Sequence, residues 1–336
     1  MTINCMLCNI HYFYYKKNSR QMKKKLFLLV LIFISLNFSG QKNPSMAVYL
    51  DSTYRETSEE NHRYIRVVED YYTNKDTYKV TILYKSGAKK MIGTTLSKDV
   101  LKRDGTFIYY YENGIKEAII TYSEDWKTGK EYKWYDNGNI KFEKENFPDP
   151  KNKTSKTLLL KFWNKKNELT VNDGNGECDD TDDDFQEKGK IKDGLKDGVW
   201  QGSDLKNKIT YTETYKDGNL ISGISTDKNG MKYSYSKLFE KPLPQAGLDN
   251  FYRKVAQNYK TPEDALKNKV TGKIYVSFVV DETGKVTKPI IIKDLGYGTG
   301  EEAIRVLNIA GDWIPGKFRG MKRSALYSLP ITVTSR

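Results

Sequence analysis

The clearest alternation of apolar and polar positions lies near the C-terminus of the chain. Between Gly272 and Asp281, apolar side chains occupy every second position, at Ile274, Val276, Phe278 and Val280. A period of two predicts a β-strand with one buried face. Residues 282–285 supply a short turn that contains glycine, and residues 286–294 resume the alternation. The pattern therefore predicts a β-hairpin.

A helix and a third strand are predicted after the hairpin. From Thr299 to Gly311, apolar residues recur at i, i+3, i+4 and i+7, and Thr299 stands three residues before Glu302, as in a capping box. Residues 325–333 alternate again, but Pro330 lies among them. Because proline has no N–H to give to a neighbouring strand, we predict that this strand lies at the edge of its sheet.

A second helix is predicted upstream, where apolar residues between 248 and 259 recur at helical spacing. Aromatic residues at such positions usually belong to the core. We therefore expect Phe251, Tyr252 and Trp313 to fill the space between helix and sheet.

The open edge predicted for residues 325–333 is the candidate binding site, because an extended peptide can be added to such an edge as a further strand. The candidate partner-binding residues are Ala325, Leu326, Tyr327, Ser328, Leu329, Pro330, Ile331, Thr332 and Val333.

Several short motifs in this region occur in the order seen in one known family. They are Phe251-Tyr252 with Asn258-Tyr-Lys260, then residues 272–281, Gly284-Lys-Val286, residues 300–305, Trp313-Ile-Pro-Gly316 and Leu329-Pro-Ile331. Together they resemble the TonB C-terminal domain of the energy transducer TonB family, in its Bacteroidetes type, over residues 246–336. The resemblance implies a periplasmic two-layer α/β domain, with a three-stranded antiparallel sheet, that binds the TonB box of an outer-membrane receptor by strand addition.

Residues 41–245 contain repeated tyrosine- and glycine-rich segments. The tetrapeptides Tyr84–Gly87, Tyr111–Gly114, Tyr135–Gly138 and Tyr215–Gly218 recur, and the segment Glu177–Glu187 is expected to interrupt the series. Turns of this composition between short aromatic runs predict stacked β-hairpins. The segments resemble variant MORN repeats, which implies an elongated all-β region. The predicted fold class is therefore α+β.

The first forty residues resemble an export signal. Three lysines at 23–25 precede a thirteen-residue, largely apolar segment, Leu26–Phe38, and small residues follow it. This segment would extend about 20 Å, less than the roughly 30 Å of a bilayer core. We predict that residues 1–40 are a leader and signal peptide with Met22 as the true start, and that residues 41–245 and 246–336 are separate domains.

Charge and chemistry exclude several function classes. The net charge of +13 falls by six to +7 without residues 1–40, the lysines are scattered, and no nucleic-acid motif is present, so we expect no nucleic-acid partner. Beyond residue 40 the chain has one histidine, His62, and no catalytic or zinc-binding constellation. We predict no enzyme activity, no cofactor and no metal. The acidic stretch Asp173–Asp184 offers oxygen ligands for calcium but departs from the EF-hand pattern, which favours a solvated loop.

Two functions remain open. One is a periplasmic protein-interaction module that captures an extended peptide of an outer-membrane receptor or another envelope protein. The alternative is an inner-membrane-anchored energy transducer, driven by a proton-powered motor complex. The short apolar segment and the scarcity of proline, 9 residues in 336, argue against the transducer. Dimerisation through the same edge strand is also left open.

Overall fold

The computed structural model describes residues 44–181 and 184–334. The described chain divides into two compact units, one of residues 44–222 and 226–230 and one of residues 223–225 and 231–334. The predicted export signal and the start at Met22 lie outside the described residues. No helix among the described residues is long and apolar enough to cross a membrane.

Sixteen strands, numbered β1 to β16, form one sheet in the order of the chain. They are Met46–Leu50, Tyr64–Val68, Tyr78–Tyr84, Lys89–Thr95, Arg103–Tyr110, Lys116–Ser123, Trp126–Trp134, Ile140–Asp149, Thr154–Trp163, Leu169–Asn172, Asn175–Thr181, Phe185–Lys192, Leu195–Asp204, Ile209–Lys216, Asn219–Thr226 and Lys232–Tyr235. This arrangement agrees with the predicted all-β region, whereas the likeness to MORN repeats stays a prediction.

Hydroxyl groups of three turn tyrosines tie successive hairpins of this sheet together. Tyr84 donates to the carbonyl of Tyr110 (2.9 Å), Tyr111 to that of Trp134 (2.8 Å) and Tyr135 to that of Trp163 (2.8 Å). Each of these bonds joins residues 23 to 28 positions apart, close to the length of one repeat. The recurring tyrosine therefore has a structural role in the sheet.

The turns depart from the predicted series at two places. Tyr215 lies inside β14, and the chain reverses at Asp217 and Gly218, whose φ angles of 49° and 80° fit a two-residue type I′ turn. The fourth tetrapeptide is thus a different turn from the first three. Instead, Asn164–Asn167 continues the first series, because the Asn167 N–H donates to the Asn164 carbonyl (2.9 Å).

The acidic stretch is not the loop that the sequence favours, and it does not interrupt the sheet. Asn175–Thr181 forms β11, which pairs with β12 from Gly176 to Thr181. Cys178 on β11 is a buried free thiol, and burial raises the pKa of this thiol to about 12. The prediction failed because Cys178 is the only buried residue of β11, so the strand lacks the alternation of apolar and polar residues by which a strand is recognised.

Large aromatic rings of the sheet lie directly over strand glycines. A Cβ atom on Gly189 would lie 2.5 Å from the Trp200 ring, and one on Gly202 would lie 2.2 Å from Tyr211. Trp200 is buried and also donates its indole N–H to the Lys190 carbonyl (3.1 Å). The glycines are therefore required for the close approach of strand and ring.

The C-terminal unit combines helices with small sheets, so the protein is α+β as predicted. Its helices are α1 (Leu248–Asn258), α2 (Glu263–Lys267) and α3 (Thr299–Ile309). Its further strands are β17 (Phe239–Glu240), β18 (Leu243–Pro244), β19 (Gly272–Val280), β20 (Val286–Lys293), β21 (Trp313–Ile314), β22 (Gly316–Phe318), β23 (Met321–Arg323) and β24 (Ala325–Val333).

One face of the three-stranded sheet β20–β19–β24 packs against α1 and α3. The buried cluster takes Ile274, Val276, Phe278 and Val280 from β19, as the alternation predicts. Its other members are Phe251, Val255, Ala303, Val306, Leu307, Ala310, Trp313, Leu329, Ile331 and Val333. The helices and the sheet form two layers with a single apolar core between them.

The predicted capping box at the start of α3 is wrong. Glu302 accepts hydrogen bonds from the backbone N–H of Lys260 (2.7 Å) and from Arg305 (2.6 Å), and the Thr299 hydroxyl bonds to Asp294 (3.0 Å) and the Gly296 carbonyl (2.7 Å). Glu302 is drawn away from the helix start by a residue forty-two positions upstream, which local spacing does not reveal.

Trp313 lies at the centre of an aromatic group in the core. Its ring centroid is 5.3 Å from that of Phe251, 5.2 Å from Phe278 and 5.0 Å from Tyr327. The backbone N–H of Trp313 donates to the Gly284 carbonyl (2.9 Å) in the β19–β20 turn. A Cβ atom on Gly284 would lie 2.0 Å from the backbone carbonyl oxygen of Trp313. Trp313 thus joins helix α1, strands β19 and β24, and this turn.

We expect Trp313→Ala to destabilise the C-terminal unit by roughly 3 to 5 kcal/mol, because it leaves a large cavity in a packed core. Trp313→Phe should cost clearly less, since it keeps a ring, and the indole Nε1 has no hydrogen-bond partner among the described residues. Urea-dependent hydrogen exchange of peptides from β19 and α3 measures both effects. Equal losses for the two variants would show that ring packing is not what stabilises this core.

Candidate functional site

Strand β24 carries the nine predicted binding residues and lies at one edge of the three-stranded sheet. It pairs with β19 without a break in register, from Gly272 opposite Val333 to Val280 opposite Ala325. Among the described residues, no strand pairs with the other side of β24. The edge position indicated by Pro330 is therefore found in the structure.

The register shows which backbone groups face the open side. Pro330 stands opposite Tyr275 and has no N–H, so this pair cannot exchange the two hydrogen bonds of a bonded pair. Bonded and non-bonded pairs alternate along an antiparallel ladder. Hence the N–H groups of Leu326, Ser328 and Thr332 point away from β19, towards the open edge.

Side chains of β24 divide between the core and the outer face of the sheet. Leu329, Ile331 and Val333 are buried, and Ala325, Leu326, Tyr327 and Pro330 are half-buried. Ser328 and Thr332 are exposed. The buried row of Leu329, Ile331 and Val333 anchors the strand in the core. The residues that alternate with this row carry the backbone N–H and carbonyl groups that point to the open edge.

The opposite edge of the sheet, β20, is interrupted. Its pairing with β19 shifts in register at two places, between Tyr275 and Val276 and between Ser277 and Val279. Lys288 in the middle of β20 has a φ of 51°, and Pro289 follows it. A left-handed residue, a proline and irregular pairing are devices that prevent edge-to-edge association. Of the two edges, β24 is the regular one.

A cleft of about 290 Å³ borders the open edge. Its walls come from Tyr252, Val255, Ala256 and Tyr259 at one side and from residues 330–332 of β24 and Lys273 of β19 at the other. Tyr252 is 37 % exposed, whereas Phe251 beside it is 2 % exposed. The expectation that both would pack in the core is thus right for Phe251 and wrong for Tyr252.

Catalytic or metal-binding groups are not gathered at this edge. Across residues 44–181 and 184–334, no three His, Cys, Asp or Glu side chains lie close enough together to hold a metal ion. The nine residues of β24 include no acid, base or thiol. What the edge offers is backbone hydrogen bonding beside an apolar cleft.

Comparison with known families identifies this part of the chain. Residues 257–332 match the family described as Gram-negative bacterial TonB protein C-terminal. This segment is a TonB C-terminal domain. No curated protein matches the chain.

The matched segment contains most of the helices and strands that form the candidate site. The match begins at the last turn of α1 and ends one residue before Val333, so it includes β19, β20, α3 and almost all of β24. TonB family proteins are associated with the cell envelope, and their C-terminal domains interact with outer-membrane receptors. The match does not extend to the sixteen-stranded sheet.

The cleft is the feature of the site that sequence reasoning missed. It joins a helix to a strand some seventy positions later in the chain, and their proximity follows from tertiary packing. The one signal in the sequence is the spacing of Leu248, Tyr252, Ala256 and Tyr259, at i, i+4, i+8 and i+11, which gives α1 a second apolar stripe.

Proposed function

We propose that the TonB C-terminal domain captures an extended segment of an outer-membrane receptor, or of another envelope protein, by adding it as a strand beside β24. The observation that supports this most directly is the contrast between the two sheet edges. The β24 edge is regular over nine residues, whereas β20 is interrupted by Lys288 and Pro289. Strand addition needs an edge of unbroken register, and Pro330 removes only one outward donor from β24.

Affinity would come mainly from backbone hydrogen bonds. Leu326, Ser328 and Thr332 offer N–H groups, and these residues together with Pro330 offer carbonyl groups. Each such bond contributes about 0.5 to 1.5 kcal/mol net, so a peptide would bind with modest affinity and little dependence on its sequence unless side chains add to it. Such binding suits a contact that forms and breaks repeatedly.

The proposed role is binding, without catalysis, a cofactor or a metal. The partner surface consists of main-chain groups and neutral side chains, and the chemistry of strand addition needs no reacting group. We place the protein in the periplasm, exported by the signal at residues 1–40.

Leu326→Pro tests strand addition, because it removes one outward N–H and leaves the bonds to β19 in place. We expect the variant to lose its partner while the domain remains folded. Ser328→Ala, the matched control, keeps its N–H and should bind as the wild type does. Pull-downs of the full chain from detergent-solubilised envelopes, scored by mass spectrometry for outer-membrane receptors and inner-membrane motor proteins, give the readout.

The fold of Leu326→Pro is checked by hydrogen exchange of β19, which should be unchanged. If the folded variant recovers the same partners as the wild type, β24 is not the binding strand. If Ser328→Ala loses them too, the outer face of the sheet, and not the edge, carries the interaction.

The alternative function is an energy transducer that keeps Leu26–Phe38 as an anchor in the inner membrane and works with a proton-driven motor complex. The family match favours it, since the family is that of TonB itself. The shortness of the apolar segment favours cleavage.

N-terminal sequencing of the protein isolated from cells separates these two functions. We expect the chain to begin near Gln41, because the small residues before it fit a cleavage point. Recovery of a chain that retains Leu26–Phe38 in the inner-membrane fraction would instead support the transducer.

A further inference from the structure

Helix α1 presents a row of side chains that the core does not use. Phe251 and Val255 are buried in the core, but Tyr252 and Ala256, each one position further on, are exposed. With Tyr259 they form one wall of the cleft beside β24. An apolar helix stripe that continues into an open sheet edge is a surface suited to a partner.

Hydrogen bonds hold this wall in place. The Tyr259 hydroxyl donates to the Thr299 carbonyl (3.1 Å), and Arg305 donates to the Asn258 carbonyl (2.6 Å). Glu302 accepts the Lys260 N–H (2.7 Å), and its bonds to Arg305 lower the pKa of its carboxyl group. The end of α1 is therefore fixed to α3 before any partner binds, which reduces the ordering cost of binding.

The geometry of a sheet determines which partner residues reach the cleft. In a strand added beside β24, successive side chains point alternately to the helix side and to the outer side. The side chain of Ile331 lies on the helix side of the sheet. A partner residue directly opposite Ile331 therefore points to the helix side as well. There it meets the cleft between α1 and residues 330–332.

The lining of this cleft is mostly carbon. Its lining residues are Tyr252, Val255, Ala256, Tyr259, Pro330, Ile331 and Thr332, with Lys273 of β19 as the one charged residue among them. The Tyr259 hydroxyl is already bonded to Thr299. A bulky apolar side chain would bury its surface there, whereas a basic one would lose its hydration and meet the like charge of Lys273.

We propose that the cleft is a specificity pocket: the partner is an extended peptide with a bulky apolar residue at the position opposite Ile331, and this residue inserts between Tyr252, Ala256 and Tyr259. The inference rests on the proposed strand addition and adds the feature that selects the peptide. Ala256 is the determining residue, because its small side chain leaves the space open.

A positional library of immobilised nine-residue peptides, probed with the full chain, tests this pocket. We expect Leu, Ile or Phe to be preferred over Ala or Lys by roughly tenfold at one position. Ala256→Trp should fill the cleft and move that preference to Ala or Gly. Gln257→Trp, an equally exposed substitution at the next position of the same helix, should leave the preference unchanged.

The same library separates the pocket from strand addition. If wild-type binding is lost in Leu326→Pro but shows no size preference that Ala256→Trp alters, the pocket is overturned and strand addition stands. If the wild type binds no member, both fail. Sedimentation of the free chain gives the remaining outcome: a homodimer that Ala256→Trp dissociates would assign the cleft to a second copy and overturn the peptide pocket.

Discussion

The C-terminal domain depends on strand β24, which is paired along one edge and open along the other. On one side, its backbone completes the ladder with β19, and its apolar row Leu329, Ile331 and Val333 closes the core under α1. On the other side, its N–H and carbonyl groups have no strand to bond. The packing keeps the pairing of this strand regular, and a regular edge is what an added peptide requires.

Such an edge is a liability unless the protein controls what binds to it. The β20 edge is protected by a left-handed lysine, a proline and shifted pairing. On the β24 edge, Pro330 removes one donor without a shift in the pairing, and the cleft beside it is the proposed specificity pocket. We propose that this difference between the edges directs a partner strand to β24.

The sixteen-stranded sheet solves a separate packing problem. A single two-stranded hairpin buries too little surface to be stable. Here the tyrosine hydroxyls of the turns bond to the following hairpin, and rings such as Trp200 lie over glycines of the adjacent strand. Both kinds of contact make each hairpin depend on its neighbours. The tyrosines and glycines that recur in the sequence are therefore the residues that join one hairpin to the next.

Much of this could be read from the sequence, for identifiable reasons. Alternation predicted β19 and β24 because the period of a strand is a local property, and Pro330 indicated the edge because its missing N–H is a property of the residue. The capping box failed because Glu302 bonds to Lys260, and Tyr252 was misplaced because one helical step of about 100° moves a side chain from the core to the cleft. The cleft itself was out of reach, since its two walls are distant in the sequence.

The most direct measurement is residue-resolved amide hydrogen exchange along β24, with the captured partner bound and free. We expect Leu326, Ser328 and Thr332 to exchange fast in the free protein and slowly in the complex, while Tyr327 and Leu329, already bonded to β19, are protected in both states. Protection that appears along β20 instead, or no change on β24 in a formed complex, would contradict it.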